Sequence, residues 1–178
     1  MALEAAFGEL NAQLYALREA LVDLHTTAVE DKPLQDDAVL VDLFGDAATD
    51  LLGWLEGALN AVATAQQAAT YPADIGQARQ ALAQCHERFQ HVHQRFATDL
   101  ISYECIAELT RFGRRRGGEW QAWATGVKAA LDECRPRLLA IAQALFACWQ
   151  ELAERAGMNS VAVHAINIGQ RVIAPPTH

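Results

Sequence analysis

Chemistry-bearing side chains crowd one stretch of this chain, CHERFQHVHQRF, which holds Cys85, His86, Glu87, His91 and His93. A zinc hydrolase site carried on a helix needs H-E-x-x-H, because the four-residue step puts both imidazoles on one face. Here the spacing is H-E-x-x-x-H. The helical period then swings His91 about 140° away from His86, and His93 points elsewhere again. The stretch is expected to be a solvated helix face rather than a metal centre. A di-iron bundle would need paired Glu-x-x-His motifs, and the sequence contains none. Haem attachment by C-x-x-C-H, a phosphate loop G-x-x-x-x-G-K and a nucleophile elbow G-x-S-x-G are absent as well. No catalytic residue, metal or cofactor is expected, and the chain is not read as an enzyme.

Cys85, Cys105, Cys134 and Cys148 form no C-x-x-C pair, and three of them fall on apolar stripes. They are expected to be buried, reduced thiols. The remaining polar cluster is RFGRRRGGEW, with Arg111, Arg114, Arg115 and Arg116 beside Trp120 and Trp123. Guanidinium groups in that number can grip a phosphate, an acidic partner or a membrane head group. They equally suit a solvated turn at the negative end of a helix, with both tryptophans in the core. These arginines are the candidate contact for an anionic partner.

The elements that must position these groups are helices. Leu3, Phe7, Leu10, Leu14, Leu17, Leu21 and Leu24 step by four and three, a heptad seam on one helix face. After EDKPLQDD, with Pro33 placed for a first turn and Asp36 and Asp37 behind it, a second stripe follows. It runs Leu40, Phe44, Ala47, Leu51, Trp54 or Leu55, Ala58, Val62, Ala65. Gly45, Gly53 and Gly57 interrupt it at a cost in helix propensity, and they are either close-approach points or simply tolerated. TYPAD opens a third stripe, Ile75, Ala78, Leu82, Cys85, Phe89, Val92, Phe96, Tyr103 and Ile106, with Asp99 on the seam. The fourth carries Trp120, Trp123, Val127, Leu131, Cys134, Leu138, Ile141, Leu145, Cys148 and Leu152. Pro136 should bend it and Gly157 should cap it. The spacing predicts an all-α fold, an elongated antiparallel up-down four-helix bundle over residues 1–157. Its helices are expected at about 2–29, 34–69, 73–113 and 118–156, with an extended tail over 158–178.

A chain of 178 residues with 52% hydrophobic and 20% charged residues can bury one full core. No apolar run reaches membrane-span length. The opening MALEAAFGEL has acids where a signal peptide has Lys or Arg, so a cytoplasmic location is expected. The net charge of −8 is uneven: residues 1–70 hold 12 acids against 2 bases, and the remainder 10 against 12. The acidic half can dock on the basic half, within or between molecules, and no nucleic-acid partner is expected.

NSVAVHAINIGQRVIAPPTH, at the end of the sequence, alternates like a strand. Val161 and Val163 share one face, Ile166, Ile168 and Val172 the other, and Pro175 and Pro176 stop any ladder. A lone strand is unstable in water and must pair with something. Ile166-Asn167-Ile168-Gly169 resembles the Ile/Val-Gln-Ile/Val-Gly core of RHIM-type amyloid-signalling motifs. The run before it is similar to bacterial amyloid-signalling sequences, the likeness spanning residues 159–173. The resemblance implies zipper contacts from Ile166 and Ile168, an amide ladder from Asn167 and a tight bend at Gly169. It further implies a stacking motif that templates a like motif on a partner; Asn stands where Gln is usual, and Arg171 would stack charge on charge.

The sequence thus leads to a non-enzymatic adaptor or assembly module. Val161, Val163, Ile166, Asn167, Ile168 and Gly169 carry partner or self-association, a bundle face makes a second protein contact, and a homo-oligomer is expected. A ring or tube laced by swapped tails, and a ligand- or metal-binding bundle, are the competing readings.

Overall fold

The computed structural model describes residues 2–33 and 38–157. Over them the protein is all-α, with five α-helices: α1 (Ala2–His25), α2 (Ala38–Ala68), α3 (Ile75–Arg95), α4 (Tyr103–Arg116) and α5 (Gly118–Arg155). The tail, with the six residues expected to carry association, lies outside the described residues, as do Asp36 and Asp37.

All seven seam residues of α1 are buried. A π turn, Thr26–Glu30, extends this helix and closes with Asp31 N–H donating to the Thr26 carbonyl at 2.9 Å. Pro33 lies outside any helix, so its expected place in the first turn of the second helix is not found. Its missing N–H has another consequence. Five residues before it, the fully buried Ala28 carbonyl would look to residue 33 for a π-spaced donor. The indole Nε1–H of Trp123 supplies the bond instead, at 3.1 Å. This bond ties the end of α1 to the start of α5. At the opposite end, Leu3 and Phe7 of α1 share a small cleft with Arg155 of α5 and Gln66 and Ala69. Asn11 and Gln66 are hydrogen bonded there at 3.1 Å.

Helix α2 lies between α1 and α3, and α5 packs on α1, α3 and α4. Leu55 rather than Trp54 takes the core position on α2. Of its unusual glycines, Gly45 marks a close approach: a Cβ there would stand 2.7 Å from Val29 Cγ2. Gly53 meets nothing within 4 Å.

The expected third helix is two. Its stripe holds through Phe96, then a π turn, Phe96–Leu100, adds a residue to the local repeat. Leu100 takes the buried position, Ile106 is half-buried, and Tyr103 is 85% exposed. Asp99 leaves the seam altogether and pairs with Arg95 at 2.8 Å on the surface. Ser102, in extended backbone, then caps α4 by accepting from Cys105 N–H at 3.2 Å. The cap was legible as Ser followed by Glu104 in the first turn, and the continuous stripe masked it.

Gly117 and Gly118, with φ of 66° and 53°, reverse α4 into α5 without a further residue. Helix α5 carries Pro136 inside it and ends at Arg155, with Gly157 two residues on, its φ of 66° the expected left-handed cap. No described helix is long and apolar enough to cross a membrane.

Candidate functional site

The arginine cluster is helical rather than part of a turn: Arg111, Arg114, Arg115 and Arg116 occupy the last turns of α4, where the helix dipole favours cations. They do not act as one group. Arg111 Nη2 pairs with Glu108 at 2.7 Å, one turn back on the same helix. Arg116 lies over Phe112 and Trp120, its guanidinium carbon 5.6 Å and 6.0 Å from the ring centroids. Arg114 and Arg115 are exposed and form no ion pair among the described residues.

Beneath them is an aromatic cluster. Trp123 meets Phe44, Phe112 and Trp120 edge to face, with centroids 6.4, 5.9 and 5.3 Å apart. Both tryptophans are thus core residues that weld the starts of α2 and α5 to the end of α4. The Trp120 Nε1 atom is buried without a hydrogen-bond partner among the described residues. Gly113 lets the helices close here: a Cβ on it would stand 2.9 Å from Ala124 Cβ. Chemically, this tip offers two guanidinium groups without an ion pair among the described residues, on a rigid aromatic base, an arrangement suited to contact with an anion.

In the histidine stretch the apolar stripe is buried as expected, and the departure from a solvated face is His93. Cys85, Phe89, Val92 and His93 are buried, His86 is half-buried and His91 is exposed. His93, 7% exposed, has no hydrogen-bond partner on Nε2 among the described residues, and burial holds its pKa below the ordinary imidazole value. His91 stacks on Trp54 of α2 at 4.5 Å with the rings 22° apart, and Arg88 stands 5.6 Å over the same indole. Together they line an open groove of about 640 Å³ between α2 and α3, with Gly57, Asn60, Thr64, Gln84 and Glu87. A contiguous cleft of about 240 Å³ continues past Asp50, Gln94, Arg95 and Thr98. This groove escaped the sequence reading because it joins residues of two helices. Its one local signal was Trp54 competing with Leu55 for a core position.

Among the described residues no cluster of three or more His, Cys, Asp or Glu side chains has the arrangement of a metal site. The cysteines are free thiols, Cys85, Cys134 and Cys148 buried and Cys105 half-buried. Burial first, then neighbouring acids, pushes Cys134 and Cys148 up to about 12. Thiols so held are poor nucleophiles. Comparison with family models, with curated proteins and with solved structures finds no match to this chain.

Proposed function

We propose that the chain is a non-enzymatic adaptor or assembly module, in which a rigid helical body presents a C-terminal β-prone segment for protein–protein association. The body, residues 1–157, is read as an elongated antiparallel up-down bundle of four legs, with α3 and α4 together forming the third. Support for that reading comes from the paired ends: Trp123 bonded to Ala28 at one, Leu3 and Phe7 beside Arg155 at the other.

The observation that carries the functional reading is the contrast between the two parts of the chain. The body buries a main apolar core reaching all five α-helices, and Gly157 then turns the backbone out of α5 with a positive φ. Beyond it stand Val161, Val163, Ile166, Asn167, Ile168 and Gly169 in strand alternation. The tail's resemblance to RHIM-type and bacterial amyloid-signalling motifs supports signalling or defence-type assembly in the cytoplasm. Homo-oligomers follow if the tail pairs with its own copies, and the bundle face is left for a second protein.

Light-scattering mass after size exclusion, for the full chain and for a version ending at Gly157, tests this. A smaller mass for the shortened chain supports association through the tail; a spread of full-length masses means stacking and a fixed mass a closed ring. Equal masses, together with no protein captured by the tail used as bait, overturn the reading.

A further inference from the structure

We propose that a furrow between α3 and the second half of α5 seats the first stretch of this chain's own tail, residues 158–164, with Val161 and Val163 turned inward. On α5, Leu139, Ala142, Phe146, Trp149 and Ala153 step by three and four, a second apolar stripe beside the core seam of Leu138 to Leu152. Gln121 and Ala124 precede Leu139 and Ala142 by eighteen residues, about five turns, and so share this side of the helix. There α4 closes on α5 tightly: a Cβ on Gly113 would stand 2.9 Å from Ala124 Cβ. The second half of the stripe has no such cover, because α3, although longer than α4, meets α5 more sparsely. Leu139 is 44% exposed, Phe146 and Trp149 are half-buried, and the apolar cluster around Ala153 is made by Phe146 and Trp149 of its own helix.

The other wall is the flank of α3 turned away from α2. Arg88 and His91 reach Trp54 of α2. A step of two residues turns a helix by about 200°, so His86 and His93 face the other way, and Arg79 stands seven residues before His86 on the same side. Arg79 and His86 are half-buried, and His93 is buried with its Nε2 lacking a hydrogen-bond partner among the described residues. A buried nitrogen of that kind calls for a polar group from outside the helices. An extended backbone carries such groups and needs partners for them.

The tail enters this furrow at its mouth. Gly157 N–H donates to the Glu154 carbonyl at 3.1 Å, and its φ is 66°. These are the bond and the conformation of a cap in which the next residue packs back on the residue five before it. Here that pair is Met158 on Ala153, the first stripe residue met from that end. From Ala153 to Leu139 the stripe runs about 21 Å, which about six or seven extended residues cover. Val161 and Val163, on one face of the strand pattern, fall within that reach; Ile166 and Ile168, on the other face, lie beyond it. A tethered segment meets its seat at a local concentration on the order of millimolar, which favours the chain's own tail over that of a second copy. One face of the tail thus anchors it and the other leaves Ile166–Gly169 outward. That outward role rests on the association proposed above, and the docking does not.

Nuclear magnetic resonance on the full chain tests the docking, with Ile166→Asp and Ile168→Asp as the parent so that stacking through that segment is removed. Nuclear Overhauser contacts from the Val161 and Val163 methyls to the Phe146 and Trp149 rings are expected. A mixture of differently labelled chains should show none between copies. Val161→Asp with Val163→Asp, made in the parent, should abolish the contacts and lower Tm by about 3–6 °C, the loss expected from two partly buried valines in a domain of this size. Absent contacts in the parent overturn the docking, as does an unchanged Tm. Contacts found only between copies overturn it too, and assign the furrow to a second copy's tail. Light-scattering mass of the natural chain against the parent judges the other reading separately: equal masses refute association through Ile166 and Ile168 and leave the docking standing.

Discussion

Replacing Gly113 and Gly53 by alanine, one at a time, makes the same chemical change in two helix interiors with opposite expected results. At Gly53 an added methyl meets nothing within 4 Å. The only consequence is the gain in helix propensity, about 1 kcal/mol. At Gly113 the same methyl stands 2.9 Å from Ala124 Cβ and 3.4 Å from Gln121 Cα. Neither neighbour can rotate away, because both atoms are fixed to the α5 backbone. The α4–α5 hairpin must open, at an overpacking cost of about 1–3 kcal/mol. Offsetting the propensity gain leaves a net loss of about 0–2 kcal/mol, so the two variants should differ by roughly 1–3 kcal/mol. For a domain of this size each kcal/mol moves Tm by about 2–4 °C. Thermal melts followed by circular dichroism should place Gly53→Ala above the parent and Gly113→Ala at or below it. If Gly113→Ala rises as far as Gly53→Ala, α4 and α5 do not meet at Gly113 and the tip described above is wrong.

Three other outcomes are expected. Trp123→Phe strands the buried Ala28 carbonyl and should cost about 1–3 kcal/mol in urea unfolding; Trp120→Phe removes an N–H that has no partner and should cost less. Burial lowers the folded pKa of His93 from 6.5, so below that pH the unfolded chain binds a proton the folded chain refuses. His93 should therefore drain stability as pH falls from about 6.5 toward its folded pKa. Tm measured at pH 7.5 and 5.5 should fall less in His93→Leu than in the parent, and equal falls would show that His93 is not the group responsible. Among the thiols, half-buried Cys105 should react with a disulfide reagent first, and Cys85, Cys134 and Cys148 only on unfolding; rapid labelling of all four in the native protein would contradict the burial.

Much of the helical framework was legible in the sequence. The seams of α1 and α5 are buried at every expected position, from Leu3 to Leu24 and from Trp120 to Leu152. Long amphipathic helices are set by their own periodicity, which needs no knowledge of a partner. Where the period changes, that reading fails. The π turn at Phe96–Leu100 kept the apolar pattern long enough to hide the break at Ser102. His93 fails for a related reason: its residue type argues for water, while its position, four after Phe89, puts it in the core. Arg111, Arg114, Arg115 and Arg116 are adjacent in sequence, but their division into paired, stacked and unengaged side chains depends on Glu108, Phe112 and Trp120 in three dimensions. The Trp54–His91 groove lies across two helices and had no local pattern to announce it.

The packing of α1 on α5 has a consequence for how the protein is made. Synthesis delivers α1 first and its chief partner last. At about 5–20 residues per second, the leucine seam waits on the order of ten seconds for α5 to emerge. During that interval α2 can cover part of it, and the face that α5 will bury stays exposed on a ribosome-bound chain. The α4–α5 hairpin, joined through Gly117 and Gly118 alone, assembles as soon as it appears. Folding is therefore expected to nucleate at the later-made end and draw the first helix in, leaving the newborn α1 as the segment that a holding chaperone would find.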